Sequence, residues 1–279
     1  MKANKYLLSV ALVFCSLVPT YFVTTSRAQQ VAPEIAVAEY QLGAVLYMQK
    51  AAEYRALAYQ AFNLAKMNLD ADFDKKNVKK LPKAERNKTR AVVVDVDETV
   101  LDNSPAQAAQ IKNNQPFVQS TWTSWVNMRK AKAIPGALDF LNYAASKGVR
   151  IFYVTNRIEA EKAATIDNLK AAGFPDVSDE TVVVRTAESG KEARRQAISQ
   201  KNRIVLLIGD NLNDLSEVFE RKSVADRLSE VDKTRQMFGG KFIVLPNAMY
   251  GDWESAIYEY QRLTEAQKAQ KRADALELP

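Results

Sequence analysis

The sequence predicts an α/β fold, a doubly wound parallel sheet with a smaller helical element supplied by the N-terminal region. Three observations predict it. Apolar runs without alternation recur at 91–94, 149–155, 181–184, 204–208 and 242–245, as suits strands buried on both faces. Helical patterns at 135–146, 159–172, 191–200 and from 253 onward alternate with them, the arrangement of a parallel sheet covered by helices on both sides. Acidic residues then follow two of the runs, Asp95 and Asp97 after the first and Asp210 after the fourth. Carboxyl ends of strands are where open α/β sheets bind ligands.

The composition bounds the chemistry. With 279 residues, 47% hydrophobic and 26% charged, the chain has ample core for one large globular domain and a smaller element. It contains no histidine, which excludes a phosphohistidine intermediate and an imidazole-ligated zinc site. A metal here must rely mainly on carboxylate, carbonyl and water oxygens, which favours Mg²⁺. The formal charge is +6. Removing residues 1–28, with Lys2, Lys5 and Arg27, leaves thirty-six basic against thirty-three acidic residues, an excess of +3. That excess gives no ground for nucleic-acid binding.

Three segments are expected: a signal peptide at 1–28, an N-terminal helical region and basic linker at 29–88, and the α/β core at 89–279. Lys2 and Lys5 precede an apolar stretch from Tyr6 to Val18 that Pro19 interrupts, and Ser26-Arg27-Ala28 offers small residues for cleavage after Ala28, the layout of an export signal. The mature chain is therefore expected outside the cytoplasm, periplasmic or secreted. An uncleaved anchor is the alternative. Cys15 is the only cysteine, so no disulfide forms within one chain. Membrane attachment follows only if Cys15 is lipidated; Phe14 before it and the apolar run after it oppose this.

From Glu34 to about Leu69 the pattern is helical, with Tyr40, Val45, Tyr47, Tyr54, Leu57 and Phe62 as a candidate core-facing stripe. The lysine-rich stretch 70–90 reads as a solvated linker. Residues 105–132 lack a regular pattern and hold Trp122 and Trp125. Gly148 is placed to close the helix before the second strand.

Four stretches carry the chemistry. In Ala91-Val92-Val93-Val94-Asp95-Val96-Asp97-Glu98-Thr99, Asp95 and Asp97 lie two apart in extended chain and share one pocket. Crowded carboxylates favour one ionised and one protonated form unless a cation intervenes, which supplies a nucleophile and a proton donor. Thr155 and Asn156 end the second strand and can donate to phosphate oxygens without adding charge. Lys191 opens a helix, where the macrodipole disfavours a cation; it is either answering an anion or solvated. In Gly209-Asp210-Asn211-Leu212-Asn213-Asp214, Asp210 and Asp214 share a face if a helix begins there. Alternatively the string is a capped helix start.

Asp95-x-Asp97-x-Thr99 resembles the first motif of the haloacid dehalogenase superfamily. Its extension through Val100-Leu101-Asp102-Asn103 resembles the signature of class C acid phosphatases, the bacterial group that includes lipoprotein 5′-nucleotidases. Gly209 to Asp214, in register with it, resembles that family's second signature, and the likeness runs from about 91 to 254. It implies a haloacid dehalogenase-like core and a Mg²⁺-dependent phosphomonoesterase. Asp95 is then the nucleophile and Asp97 the general acid and base. The Asp95 carboxylate, the Asp97 backbone carbonyl and Asp210 hold the metal, with Asp214 as a further ligand or a support, and Thr155, Asn156 and Lys191 bind phosphate, with Arg194 and Arg195 at the surface or structural. The implied substrates are small phosphomonoesters, nucleoside monophosphates and aryl phosphates, stacked on aromatic side chains for which Trp122, Trp125 and Tyr250 are the candidates. One tryptophan is expected in the core, and a homo-oligomer stays open. Ala106 stands where the family signature carries Tyr, so one aromatic wall is expected to be missing. A phosphotransferase on the same intermediate, or a binding protein keeping the fold, are the alternatives.

Overall fold

In the computed structural model, residues 38–279 are described; the expected signal peptide and Cys15 lie outside them. A 3-10 turn at Glu39–Gln41 leads into α1 (Leu42–Lys50) and α2 (Ala52–Phe73), separated where Ala51 turns extended at ψ 127°. The lysine-rich stretch contains two short helices, α3 (Lys75–Lys80) and α4 (Lys83–Arg86), before β1 (Thr89–Val94). Then come β2 (Leu101–Asp102), α5 (Ser104–Lys112), α6 (Gln119–Met128), β3 (Lys132–Ala133), α7 (Ala137–Ser146), β4 (Arg150–Val154) and α8 (Lys162–Ala171). The chain ends with β5 (Val182–Val183), α9 (Glu192–Lys201), β6 (Asn202–Gly209), α10 (Val224–Thr234), β7 (Phe242–Val244), α11 (Asp252–Ile257) and α12 (Glu265–Asp274).

The five expected strands form one parallel sheet in the order β5-β4-β1-β6-β7. Central β1 is Val-rich and buried on both faces, as β-branched side chains favour. Val94 pairs with Tyr153 on one side and Ile208 on the other. The residues just beyond these three strands, Asp95, Thr155 and Asp210, therefore emerge at one end of the sheet, at its topological switch point. The antiparallel pair β2–β3 encloses α5 and α6; two-residue strands are too short to leave a period in the sequence, and 105–132 is correspondingly more regular than expected.

Half of the expected aromatic stripe faces inward. Val45, Tyr54 and Phe62 are buried, whereas Tyr40, Tyr47 and Leu57 are exposed. The face of α2 that meets the core is instead Tyr54, Ala58, Ala61, Phe62, Ala65 and Leu69, since alanines let a helix lie close against its neighbours. Gly148 closes α7 at φ 75° as expected. Asp72, at the end of α2, bonds Arg90 of β1 and Arg203 of β6, each at 2.6 Å. The 70–90 stretch is thus tied to the amino end of the sheet as well as solvated.

Candidate active site

A cavity of about 630 Å³ opens at the carboxyl end of the sheet. Asp95, Asp97, Asn156, Arg157, Lys191, Asp210 and Asp214 meet at its floor. Asp95, Asp210 and Asp214 each offer an oxygen within 4.8 Å of the others. The expected helix at 210 is a 3-10 turn, Leu212–Asp214, capped by Asn211, whose backbone N–H donates to Asp214 at 3.0 Å. Gly209 permits this: a Cβ there would lie 2.4 Å from Asp214, so only glycine admits the ligand loop. Asp210 accepts from Thr99 at 3.0 Å and Asn247 at 2.8 Å.

Lys191 donates to Asp95 and, at 2.6 Å, to Asp214, with all three nearly enclosed. Burial would lower the Lys191 ammonium, but Asp214 and Asp95 outweigh it and hold it above its ordinary value. Asp95 shows the opposite balance. Burial pushes its carboxyl well above the usual range, Lys191 pulls it down, and Asp214, Asp210 and Asp97 push it up again. Asp210 is pushed up to about 7, by burial and then by Asp214. One ammonium does not balance this many enclosed carboxylates, which either hold protons or admit an oxygen-seeking cation. The all-carboxylate donor set fits Mg²⁺, and Asp95, Asp210 and Asp214 are the residues placed to hold it.

Asp97 is held apart from that cluster. Arg157 reaches it with Nη2 at 2.7 Å and Nε at 3.0 Å, and Asn103 donates from Nδ2 at 2.9 Å. Arg157 is almost fully buried, and its role was not read from the sequence, although it directly follows Asn156; a cation just past a buried strand and a hydroxyl was the available signal. Thr155 lies behind the wall rather than in it. It is fully enclosed, accepts from the Arg157 N–H at 3.1 Å and sits 3.4 Å from Asp97, so Asn156 and Arg157 form the surface on this side. Glu98, at φ 57° and with no exposure, accepts from the Asn103 N–H at 2.8 Å and from the Tyr250 hydroxyl. It too was missed.

The three aromatic candidates separate. Trp122 and Tyr250 line the cavity. Trp125 does not: its indole N–H turns inward to Asn103 Oδ1 at 2.8 Å, and its ring packs against the core, because a half-buried indole needs that acceptor. Phe117, 58% exposed and 6.3 Å from the Trp122 ring, also lines the cavity. It supplies an aromatic surface that the sequence reading, with Ala106 in place of Tyr, expected to be missing.

Comparisons with known proteins agree with this fold. The family described as HAD superfamily, subfamily IIIB (acid phosphatase) matches residues 9–253. The structure of the class C acid phosphatase from Bacillus anthracis superposes with a TM-score of 0.81 at 42% identity, covering 88% of this chain and 99% of that one. The same enzyme with tungstate bound matches equally. Curated relatives include a stem 31 kDa glycoprotein of Glycine max, 33% identical over 129 residues. Acid phosphatase 1 of Solanum lycopersicum is 30% identical over 131 residues. Each of these two alignments covers 44% of this chain, which spans about half (51%) of the relative's length.

Proposed function

The chain belongs to the acid phosphatase family that forms subfamily IIIB of the HAD superfamily, and on that premise we propose that it is an exported, Mg²⁺-dependent phosphomonoesterase acting through an aspartyl-phosphate. The observation that carries the reading is the convergence of Asp95, Asp210 and Asp214 within 4.8 Å, with Lys191 donating to two of them.

Asp95 attacks phosphorus, and the P–O bond to the leaving group breaks as the acyl-phosphate forms. Asp97, oriented by Arg157 and Asn103, gives its proton to the leaving alkoxide. It then takes one from the water that attacks phosphorus and returns Asp95 as a carboxylate. Lys191 lies beside Asp95 and neutralises a phosphoryl oxygen, while Asn156 donates to another from the cavity wall. Bound Mg²⁺ supplies charge that lets an anionic phosphate approach a carboxylate.

The cavity extends from this floor to Trp122, Phe117 and Tyr250. Flat apolar walls above a phosphate site suit a nucleoside 5′-monophosphate or an aryl phosphate, with stacking that tolerates different bases. Export rests on the pattern of residues 1–28. Among the described residues no helix is long and apolar enough to cross a membrane.

The test is hydrolysis of p-nitrophenyl phosphate and of nucleoside 5′-monophosphates by the mature chain, followed by acid quench and mass spectrometry. A phosphoryl adduct on the peptide carrying Asp95 is expected; turnover with the adduct on another residue removes the mechanism.

A further inference from the structure

Lys191 is followed one turn later by two consecutive arginines at the start of α9, and both are nearly enclosed, Arg194 at 9% and Arg195 at 4% exposure. Neighbours on a helix point in different directions, and these two grip different loops. Arg194 donates from Nη1 to the Thr155 carbonyl at 2.7 Å and from Nη2 to Asn156 Oδ1 at 2.7 Å. The same Nη2 also reaches the carbonyls of Ser189 and Gly190 at 3.0 and 3.2 Å. Every one of these acceptors is neutral. Arg195 donates from Nη1 to the carbonyls of Asn213 and Asp214 at 2.9 and 2.8 Å, while Glu192 holds its other edge at 2.7 Å.

The consequences for the site differ. An amide has one acceptor oxygen and one donor nitrogen. With Oδ1 of Asn156 committed to Arg194, its Nδ2 is the end left for the cavity that Asn156 lines. Arg194 therefore fixes the amide in the orientation that donates to a phosphoryl oxygen, and ties that loop to the Ser189–Gly190 turn preceding Lys191. Arg195 instead fixes the backbone of the turn whose side chain, Asp214, belongs to the carboxylate cluster. A planar fork spans two acceptors where an ammonium reaches only one with the same geometry.

We propose that Arg194 and Arg195 are separate positioning residues, Arg194 for the phosphate-donating amide of Asn156 and Arg195 for the metal-holding carboxylate of Asp214. The assignment rests on the phosphatase reading above. It differs from a shared structural role, in which both arginines merely hold α9 in place.

The experiment compares R194Q and R195Q with the wild-type protein by two binding measurements and one kinetic one. Calorimetry gives the affinity for Mg²⁺ alone and, at saturating Mg²⁺, for inorganic phosphate; steady-state hydrolysis of p-nitrophenyl phosphate gives KM and kcat. R194Q is expected to weaken phosphate about tenfold and raise KM, leaving Mg²⁺ affinity within twofold. R195Q is expected to weaken Mg²⁺ about tenfold, leaving phosphate affinity at saturating metal within twofold. R194K, which keeps the charge but loses the fork, should follow R194Q; it carries the comparison if R194Q does not fold. Equal losses of both affinities in the two variants, or no loss in either, overturn the proposal. A wild-type protein that neither binds phosphate nor hydrolyses the ester overturns the phosphatase reading itself, before the variants are compared.

Discussion

The two ends of the same central strands carry opposite electrostatic arrangements. At the amino end, one carboxylate, Asp72, meets two guanidinium groups, Arg90 and Arg203. Burial alone would raise Asp72, but the hydrogen bonds and charges of Arg203 and Arg90 outweigh it and hold the carboxyl below its usual range. At the carboxyl end, Asp95, Asp210 and Asp214 crowd round a single ammonium, with Asp97 beside them, and burial pushes Asp95 and Asp210 upward. The second cluster is the more enclosed, and only in the first is the carboxylate outnumbered by its cationic partners. The first cluster, its acid held by two guanidinium groups, fastens helix α2 to the sheet. A cluster short of positive charge is costly to fold and is retained for what it binds.

Substitutions at the two ends should therefore behave in opposite ways. Asp95→Asn is expected to lower kcat by more than about ten-thousand-fold, since the proposed nucleophile is lost. The same change should raise the thermal midpoint of the metal-free protein, because one repelling acid is gone. Loss of stability comparable to that of a core substitution would place Asp95 in the first kind of cluster. Lys191→Ala should cost about a hundred- to a thousand-fold in kcat, with the midpoint lowered as Asp95 and Asp214 lose their shared cation.

Asp72→Asn should leave kcat unchanged and lower stability at pH 7 by about 1–2 kcal/mol, the cluster being partly exposed. The sign follows from the depressed carboxyl. Its contribution is present above the unfolded value, about 4, and is lost as pH falls through the lower folded value. Urea unfolding should thus separate variant and wild type at pH 7 and by progressively less as pH falls below about 4. A difference that persists undiminished at acid pH would show that packing, not charge, joins these elements.

The smallest effects concern the mouth. Trp122→Ala is expected to raise KM for a nucleoside monophosphate roughly tenfold while sparing glycerol phosphate. Trp125→Phe should leave the ratio of the two unchanged, since that ring faces Asn103. Equal loss for both substrates on changing Trp122 would make it a support of the floor and not a wall for the ring.

How much of this was legible in the sequence follows the same division. Asp95, Asp97 and Asp210 each follow an apolar run closely, and those runs also carried the parallel sheet; Asp214 entered through its spacing from Asp210, and the roles of all four through the family resemblance. Lys191 stood at a helix start, by its position either answering an anion or solvated, and the resemblance chose between the two. What escaped were partners brought together across elements. Arg157, Glu98 and Arg194 are ordinary surface types by composition, and only folding buries them against Asp97, Tyr250 and Asn156. Helix α10 was also missed. Its Val224, Leu228 and Val231 do recur at helical spacing, but Val224 and Leu228 are left exposed and Arg227 is its buried residue, so it lies outside the core pattern that marked the other elements.

Binding of a divalent cation by the carboxyl-end cluster is tested most directly by removing and restoring one. The mature protein would be stripped with EDTA, dialysed into metal-free buffer, and titrated with Mg²⁺ while p-nitrophenyl phosphate hydrolysis and the thermal midpoint are followed together. Negligible hydrolysis is expected without metal, with activity and midpoint rising together and saturably as Mg²⁺ is restored, and with Asp210→Asn weakening both responses. Full hydrolysis in the metal-free protein, with a midpoint indifferent to Mg²⁺, would contradict such binding.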